Sequence, residues 1–215
     1  MTTYPLSLPA GALFSTAQFT LNVTEAVNTL RSGAVQVMQL GDPLWSAEFE
    51  TVPLTGEERA PWQAWKVALR GSIGTFLCFD PEKAYPRAYG AAVLSLTRAG
   101  GGAFDGVAIL NAATAFTLTL SGLPSGYQAS AGDMLAFPWN GSRALHMVME
   151  PAVASEAGII AVSVEPPVHL SPAPANGAAV DLVRPSCLMR ILPGSWEAPA
   201  TADRRSIRFD AVQVP

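Results

Sequence analysis

The chain has 215 residues, 49% of them hydrophobic and only 14% charged, so it can bury a substantial core and does not have the composition of a disordered protein. Lys and Arg number 13 against 17 Asp and Glu, and this net charge of −4 argues against a basic surface for nucleic acid. No apolar run is long enough to cross a membrane, and the first five residues do not resemble a secretory signal. We therefore expect synthesis in the cytosol, no specific nucleic-acid binding and no membrane insertion.

Three strands are predicted before the first helix. Residues 19–23, 34–40 and 45–52 each alternate apolar with polar or small side chains, the pattern of a strand with one buried face. Turn residues at 31–33 and 41–43 separate them. Pro53, which has no backbone N–H, should end the third strand.

A helix is predicted over about residues 56–70. Thr55 and Glu58 have the spacing of a capping box, in which each side chain accepts a hydrogen bond from the other residue's backbone amide. Gly71 should end the helix in a left-handed conformation, and Pro61 should kink it or delay its regular part. The residues that recur on the apolar face are Trp62, Trp65 and Leu69.

Short strands dominate the rest of the chain. Residues 73–79 form an apolar run that predicts a buried strand, and a flexible loop follows at 99–103. Asn140-Gly141 predicts a tight hairpin, because both residues tolerate positive φ angles. Further predicted strands lie at 116–120, 133–137, 144–149, 159–164, 180–182, 187–192 and 206–212.

The predicted fold is mainly β. Strands at this spacing are typical of a small antiparallel barrel or sandwich. We expect the last two strands to return to the N-terminal sheet, so that residues 1–90 and 184–215 form one domain and residues 91–183 form an inserted module.

Residues suited to bond-making chemistry have simpler structural interpretations. His146 follows the predicted hairpin without a nucleophile or carboxylate to orient it. Glu48 and Glu50 share one strand face, and that pattern fits a solvated or interface face better than the acid pair of a glycosidase. No metal-binding spacing or phosphate loop occurs in the sequence. The sequence therefore indicates no cofactor and no catalytic site.

Two cysteines, Cys78 and Cys187, lie far apart in the sequence within apolar segments. Reduced, buried cysteines are the favoured interpretation, and pairing of the two stays open.

Four other residues are candidate contacts for a neighbouring subunit or a glycan. Trp139 lies next to the predicted hairpin turn, and Tyr127 follows a turn-rich segment. Aromatic side chains at such places are candidate anchors when they are exposed. Arg204 and Arg205 form a basic pair that we expect either to contact acidic residues of an adjacent subunit or to remain solvated.

Several segments together resemble the tail proteins of long-tailed bacteriophages and related gene-transfer particles. The resemblance covers most of residues 40–192. Its segments are residues 45–54, the helix with Trp62 and Trp65, residues 69–81, Pro86-Arg87, residues 131–135, residues 143–146 and residues 172–180. The chain departs from the family at Cys78-Phe79-Asp80, where a glycine usually precedes the aspartate, and in the glycine loop at 100–102.

The resemblance implies a non-enzymatic, structural virion protein of the tail tip, similar to the distal tail component. Such a protein forms a hexameric ring below the tube, and its partners are other copies of itself, the tail tube protein, the hub and tail fibre proteins and the tape-measure protein. The resemblance also implies a β-sandwich ring domain with one flanking α-helix and an inserted β-barrel-like module. The protein would be made in the host cytoplasm and reside in the virion.

Three alternatives are open. A carbohydrate- or receptor-binding tail module would use exposed aromatic rings at Trp139 and Tyr127. A cell-wall hydrolase would use Glu48 or Asp133. A minor tail or tube-terminating protein differs from a distal tail protein in its axial position, which the sequence does not specify.

Overall fold

The protein is mainly β, as the alternating segments predicted. The computed structural model describes residues 3–199 and 204–215. Within these ranges it has one α-helix, α1 (Gly56–Ala68). The strands, in chain order, are β1 (Phe14–Asn22), β2 (Glu25–Thr29), β3 (Val35–Gln39), β4 (Leu44–Thr51), β5 (Phe76–Phe79), β6 (Val107–Ala113), β7 (Thr117–Ser121), β8 (Gln128–Ala129), β9 (Met134–Trp139), β10 (Ser142–Val148), β11 (Ala152–Val153), β12 (Ile160–Glu165), β13 (Ala179–Asp181), β14 (Ser186–Ile191) and β15 (Arg208–Gln213).

The described residues divide into two compact units. The helix unit combines residues 9–74 with 190–214, and the barrel unit combines residues 75–189 with the N-terminal segment up to Leu8 and with Pro215. These bounds differ from the predicted ones at 90/91 and 183/184. The segment before residue 91 joins the barrel unit because the Arg87 amide donates to Asp133 Oδ1 at 2.8 Å and the Gln128 amide donates to the Tyr89 hydroxyl at 2.8 Å. That residues 91–183 are an independent inserted module stays a prediction.

In the helix unit, β4 lies between β1 and β15 and runs antiparallel to both. Its alternation places Trp45, Ala47 and Phe49 on the buried face and Glu48 on the opposite, exposed face. The period of two in the sequence therefore determines which side of the sheet can be covered. The pairing of β15 with β4 also confirms that the last strand returns to the N-terminal sheet.

Helix α1 covers the buried face of this sheet with aromatic side chains. Trp62, Trp65 and Leu69 are all buried, which confirms the predicted apolar stripe. The rings of Phe49 and Phe209 stack on neighbouring strands with centroids 5.0 Å apart, and Trp62 and Trp65 lie 6.0 and 5.8 Å from Phe209. Because each such ring removes about 150–250 Å² from water, this cluster supplies much of the unit's hydrophobic stabilisation.

The helix begins with the predicted capping box. The Glu58 amide donates to Thr55 Oγ1 at 3.4 Å, and the Thr55 amide donates to Glu58 Oε2 at 2.7 Å. The helix starts directly after this cap and runs through Pro61, so its regular part is not delayed, and the alternative of a kink at Pro61 stays a prediction. It ends at Ala68, and the next turn contains Arg70 and Gly71 with φ angles of 51° and 77°, the second of which was predicted.

The barrel unit contains a closed barrel of six strands in the order β10-β12-β7-β6-β13-β9. Strand β13 closes it by pairing with β6 on one side and with β9 on the other. Asn140 and Gly141, with φ angles of 47° and 75°, connect β9 to β10 and confirm the predicted hairpin. The largest fully buried side chains of the barrel unit include Phe104, Leu110, Leu118, Leu120, Leu123, Leu135 and Phe137.

The strand predicted at residues 73–79 is shorter than expected. Strand β5 begins at Phe76, and the side chain of Ile73 is 75% exposed. The chain is still completing the turn after α1 at Ile73, because the Gly74 amide donates to the Leu69 carbonyl at 2.9 Å. An apolar run in the sequence therefore extended the predicted strand into a helix-terminal turn.

Candidate interaction surfaces

Between β1 and β4 the chain forms a two-stranded arm, residues 23–41. Strands β2 and β3 pair antiparallel with Val27 opposite Val37, and within the described residues they pair with no other strand. Every residue of both strands is exposed. The sequence predicted β3 and missed β2, whose run Glu25–Thr29 holds one large apolar side chain and therefore shows little alternation. The turn at residues 31–33 was the signal that a strand should precede it.

Both faces of the arm carry large, exposed apolar side chains. Opposed residues in an antiparallel pair point to the same side, so Val27, Val35 and Val37 share one face, and their side chains are 64%, 59% and 56% exposed. Met38 and Leu40, 65% and 62% exposed, lie on the other face. An ordinary surface strand has one polar face, whereas this arm presents large apolar side chains on both.

The arm also carries little charge, since Glu25 and Arg31 are the only ionisable side chains among residues 23–41. A two-stranded hairpin with no covering layer is marginally stable in water. Contiguous exposed apolar surface on a folded protein marks a site of interaction, whereas single exposed apolar residues do not. The arm is therefore the strongest candidate interaction surface of the helix unit.

Strand β1 adds a second such feature to the same unit. It stands at the end of its sheet and pairs with β4 along one edge only, within the residues that the structure describes. Its nine residues include no charged residue and no proline, the usual means by which edge strands avoid pairing with other chains. The outer edge of β1 can therefore accept a further strand.

Trp139 lies at the end of β9, where its ring is held in place and half-buried. Its Nε1–H donates to the Pro172 carbonyl at 2.8 Å, and its ring stacks on His169 with centroids 5.0 Å apart. A groove of about 410 Å³ runs beside it, lined by Pro138–Ser142 and by Ala173–Ala175. The groove is open, and none of these lining residues is charged.

Tyr127 is not an exposed contact residue, and its prediction as one is wrong. Only 3% of it is exposed. Its ring stacks on Tyr89 at 5.3 Å and meets the edge of Phe104 at 6.1 Å. Burial raises the pKa of its hydroxyl well above the ordinary value, with smaller contributions from Asp133 and Tyr89. The turn-rich sequence before Tyr127 predicted a loop correctly but did not show that the side chain points into the barrel.

Arg204 and Arg205 are both exposed. The backbone of Arg205 bonds with that of Leu54 in both directions, at 3.0 and 3.2 Å, which places the basic pair close to the N-terminus of α1. The pKa of Glu58 is lowered mainly by its hydrogen bonds from Thr55, with a small contribution from Arg204. Contact of this pair with an adjacent subunit stays a prediction.

His146 is buried inside the barrel unit and has the lowered pKa of a structural histidine. It is 2% exposed, and its ring stacks on Phe137 at 5.3 Å. Nδ1 lies 2.7 Å from the Pro166 carbonyl, which can only accept, so Nδ1 carries the proton. Nε2 is buried and has no hydrogen-bond partner among the described residues. Loss of hydration lowers the pKa of His146 to about 4 despite the Pro166 hydrogen bond, so the ring is neutral at pH 7.

Asp133 and Glu48, the two acidic side chains that a hydrolase would use, belong to different units and have different contacts. Asp133 is buried in the barrel unit, where its two oxygens accept from the Arg87 and Ser130 amides at 2.8 Å each. Glu48 lies on the exposed face of β4 in the helix unit, 3.7 Å from Arg208. A carboxylate occupied by two backbone amides and another in a solvated ion pair have the arrangement of structural and surface groups.

No group of three or more His, Cys, Asp or Glu side chains with metal-binding geometry occurs among residues 3–199 and 204–215. In the same ranges, no helix has both the length and the apolar character needed to span a bilayer. Comparison of the sequence with models of protein families gives no match, and comparison with curated proteins gives no significant match either.

Proposed function

We propose that this protein is a structural, non-enzymatic component of a phage tail tip, a distal tail-like ring that joins the tail tube to the hub and fibres. The proposal combines the resemblance to phage tail proteins with one observation, the exposed β2–β3 arm that carries large apolar side chains on both faces. In a monomer these side chains stay in water and contribute no hydrophobic free energy. An assembly that covers the arm would be stabilised by burial of its valines, Met38 and Leu40.

Self-association through unlike surfaces would close a ring. In such a ring one patch of each copy contacts a different patch of the next, and a suitable rotation closes the series. The helix unit offers two unlike patches, the arm and the uncharged outer edge of β1. Strand addition at a free edge gives main-chain hydrogen bonds together with side-chain burial. The other proposed partners, namely the tube, hub, fibre and tape-measure proteins, would contact the remaining faces of the ring.

The function of such a ring is mechanical. The genome and the tape-measure protein would pass through its lumen, and a net charge of −4 per chain disfavours adhesion of the passing DNA.

The test is to add charge to the arm and to follow assembly. We expect the unchanged protein to form annular, rotationally symmetric particles in negative-stain class averages and to sediment as an oligomer. The double variant Val27→Glu/Met38→Glu should sediment as a monomer, because two carboxylates, one on each face of the arm, would have to be desolvated in the interface. Circular dichroism and the urea midpoint should stay close to those of the unchanged protein, because both positions are exposed.

The matched control is Val67→Glu/Ile73→Glu, which adds the same charge to the same unit at side chains that are 76% and 75% exposed. This control should assemble normally. Equal loss of assembly in both double variants would show that net charge, and not the arm, matters. A chain that stays monomeric at all concentrations and is missing from particles would contradict the proposal. Axial position in labelled particles would distinguish a distal tail ring from a minor tail or tube-terminating protein.

A carbohydrate- or receptor-binding tail module is the second candidate, favoured by the fixed ring of Trp139 beside its uncharged groove. Aromatic faces stack on sugar rings, and the groove supplies the exposed side-chain amide of Asn140. Glycan-array binding that is lost in Trp139→Ala and kept in Phe116→Ala, a control at a 54% exposed ring of the same unit, would favour it. The burial of Tyr127 removes the other aromatic residue on which this alternative depended.

A further inference from the structure

Cys78 and Cys187 lie directly opposite each other in the barrel unit. Strands β5 and β14 pair antiparallel, and their register places Cys78 against Cys187, with Leu77 against Leu188 on one side and Phe79 against Ser186 on the other. Opposed residues share a face, so both thiols point to the same side of the pair. That side is buried, since Cys78 is 1% exposed and Cys187 is not exposed at all. Both thiols are free.

This register satisfies the distance requirement of a disulfide. Opposed residues of antiparallel strands have Cα atoms about 4.5–5.5 Å apart. A disulfide spans Cα separations of about 4.4–6.8 Å, so the bond needs no large backbone shift. The pKa of Cys78 is raised mainly by burial and further by the neighbouring Cys187, and burial raises the pKa of Cys187 to about 12. The pair is therefore close in space and unreactive while the strands stay closed.

We propose that Cys78 and Cys187 are a redox modification site, which forms a cross-strand disulfide when the folded protein meets a small-molecule disulfide such as oxidised glutathione. This inference does not depend on the proposed function. One cysteine thiolate attacks the glutathione disulfide, releases one glutathione thiolate and forms a mixed disulfide. The second cysteine thiolate attacks the protein sulfur of that mixed disulfide and releases the second glutathione. Two thiol protons leave, the two cysteines are oxidised, and the oxidant is reduced to two glutathione molecules.

Strand β5 is the element that gives access to the thiols. It has four residues, and on the side away from β14 it is held by the N-terminal segment, where the Leu6 amide donates to Thr75 and the Leu77 amide donates to Leu6, each at 2.9 Å. A buried strand that is paired along both edges opens rarely, so an oxidant seldom reaches the thiols under native conditions. We therefore expect slow oxidation whose rate rises in mild urea, well below the global unfolding midpoint.

The position of the pair in the chain gives the disulfide a consequence for stability. All six barrel strands, from β6 to β13, lie between the two cysteines in the sequence. The bond would close a covalent loop around the whole barrel segment, and disulfides that close long loops restrict the unfolded chain most. The oxidised protein should therefore have a higher urea midpoint than the reduced protein, and dithiothreitol should reverse the change.

The experiment incubates the reduced, full-length protein with oxidised glutathione under native conditions until the composition is constant. The sample is quenched in acid, alkylated and analysed by mass spectrometry. We expect an intramolecular disulfide, seen as the loss of two hydrogen atoms, no alkylation and a linked peptide pair that contains Cys78 and Cys187. Single variants Cys78→Ser and Cys187→Ser should show no change in urea midpoint with oxidant, and at most one glutathione adduct.

The unchanged protein alone can overturn the proposal, whatever the variants do. Two alkylatable thiols at the end of an incubation that includes mild urea, or glutathione adducts and intermolecular dimers in place of the internal bond, would show that the two sulfurs cannot meet in the fold.

Discussion

At the scale of single residues, the barrel unit depends on a few positions where burial conflicts with charge or with chain geometry. His146 is one of them, because a 2% exposed imidazole keeps one ring nitrogen bonded to Pro166 and the other without a described partner. Protonation would place a charge among apolar side chains. The fold therefore stabilises the neutral ring, and its stability depends on pH.

We predict that this histidine makes the protein sensitive to mild acid. The pKa of His146 is about 4 when folded and about 6.5 when unfolded, so its contribution is fully present above pH 6.5 and is lost as the pH falls towards 4. A difference of this size corresponds to about 3 kcal/mol. Urea unfolding between pH 7 and 4 should show a smaller loss of stability in His146→Gln than in the unchanged protein.

The control for this measurement is His169→Gln, which removes the other histidine of the chain. All three proteins contain the same carboxylates, so they differ only in their histidines. A pH profile of His146→Gln that parallels that of the unchanged protein would show that His146 does not cause the acid sensitivity.

Gly158 is the second such position. Its φ angle is +71°, and a Cβ built there would lie 2.2 Å from the Leu123 carbonyl oxygen. That carbonyl accepts from the Ala99 amide at 3.0 Å, while the Leu123 amide donates to the Gly158 carbonyl at 3.2 Å. Gly158→Ala should therefore disturb both hydrogen bonds as well as strain the backbone. We predict a loss of more than about 3 kcal/mol in urea unfolding, above the range of about 0.5–3 kcal/mol that most single mutations cost.

Gly126→Ala isolates the backbone contribution. Gly126 has nearly the same φ angle, +68°, but a Cβ there meets nothing within 4 Å. This variant should lose only about 1–2 kcal/mol, the cost of a left-handed alanine. Equal losses in the two variants would mean that the contact with Leu123 relaxes without cost.

Residue-level features followed from the sequence where the cause is local. The Thr55–Glu58 pair and the Asn140-Gly141 turn depend on atoms a few residues apart, and both are present as predicted. Tyr127 and the Cys78–Cys187 register depend on which strands meet, which a single sequence does not specify. The local pattern showed that Tyr127 follows a turn but did not show that its ring would stack on Tyr89.

At the scale of elements, α1 shows how a short helix obtains stability from both its end and its face. Replacing Thr55 by Ala removes the acceptor for the Glu58 amide and should cost about 1 kcal/mol. Thr55→Ser keeps the hydroxyl and should lose much less. Urea unfolding followed by tryptophan fluorescence includes the signal of Trp62 and Trp65 on this helix, together with that of the chain's three other tryptophans. Similar losses for Ser and Ala would mean that the hydroxyl does not contribute to the cap.

The sequence missed strands β2, β6, β8 and β11, and of these β2 lacks a one-sided apolar pattern. Strand β2 has polar or small residues around Val27, and its partner β3 was identified because Val35 and Val37 alternate with glutamines. The reverse error occurred at Ile73, where an apolar residue in a turn was assigned to the strand that follows. Hydrophobic periodicity reports burial, and it fails where an apolar residue is exposed.

At the scale of the whole molecule, the low content of charged residues, 14%, is accompanied by a stretch of exposed apolar side chains. Apolar side chains do more than fill the cores of the two units. Six large apolar side chains in residues 23–40 are between 43% and 65% exposed, namely Val23, Val27, Val35, Val37, Met38 and Leu40. They belong to one continuous stretch of the helix unit. The low charge and this exposed apolar stretch together favour coverage by a partner, in agreement with the proposed assembly.

Assembly should therefore change amide exchange in the arm and leave the barrel unchanged. In a dilute monomer, the amides of β2 and β3 should exchange fastest among the strands, because both faces and the outer edges of this hairpin meet water. In the oligomer they should slow by about tenfold or more, the effect of at least about 1.4 kcal/mol of added protection. Hydrogen–deuterium exchange with mass spectrometry, on samples at concentrations below and above the assembly threshold, measures this. Peptides from β7 and β12, which pair inside the closed barrel, provide the internal control. Protection that rises in β7 and β12 while β2 and β3 stay fast would show that copies meet through the barrel unit and that the arm is not the interface.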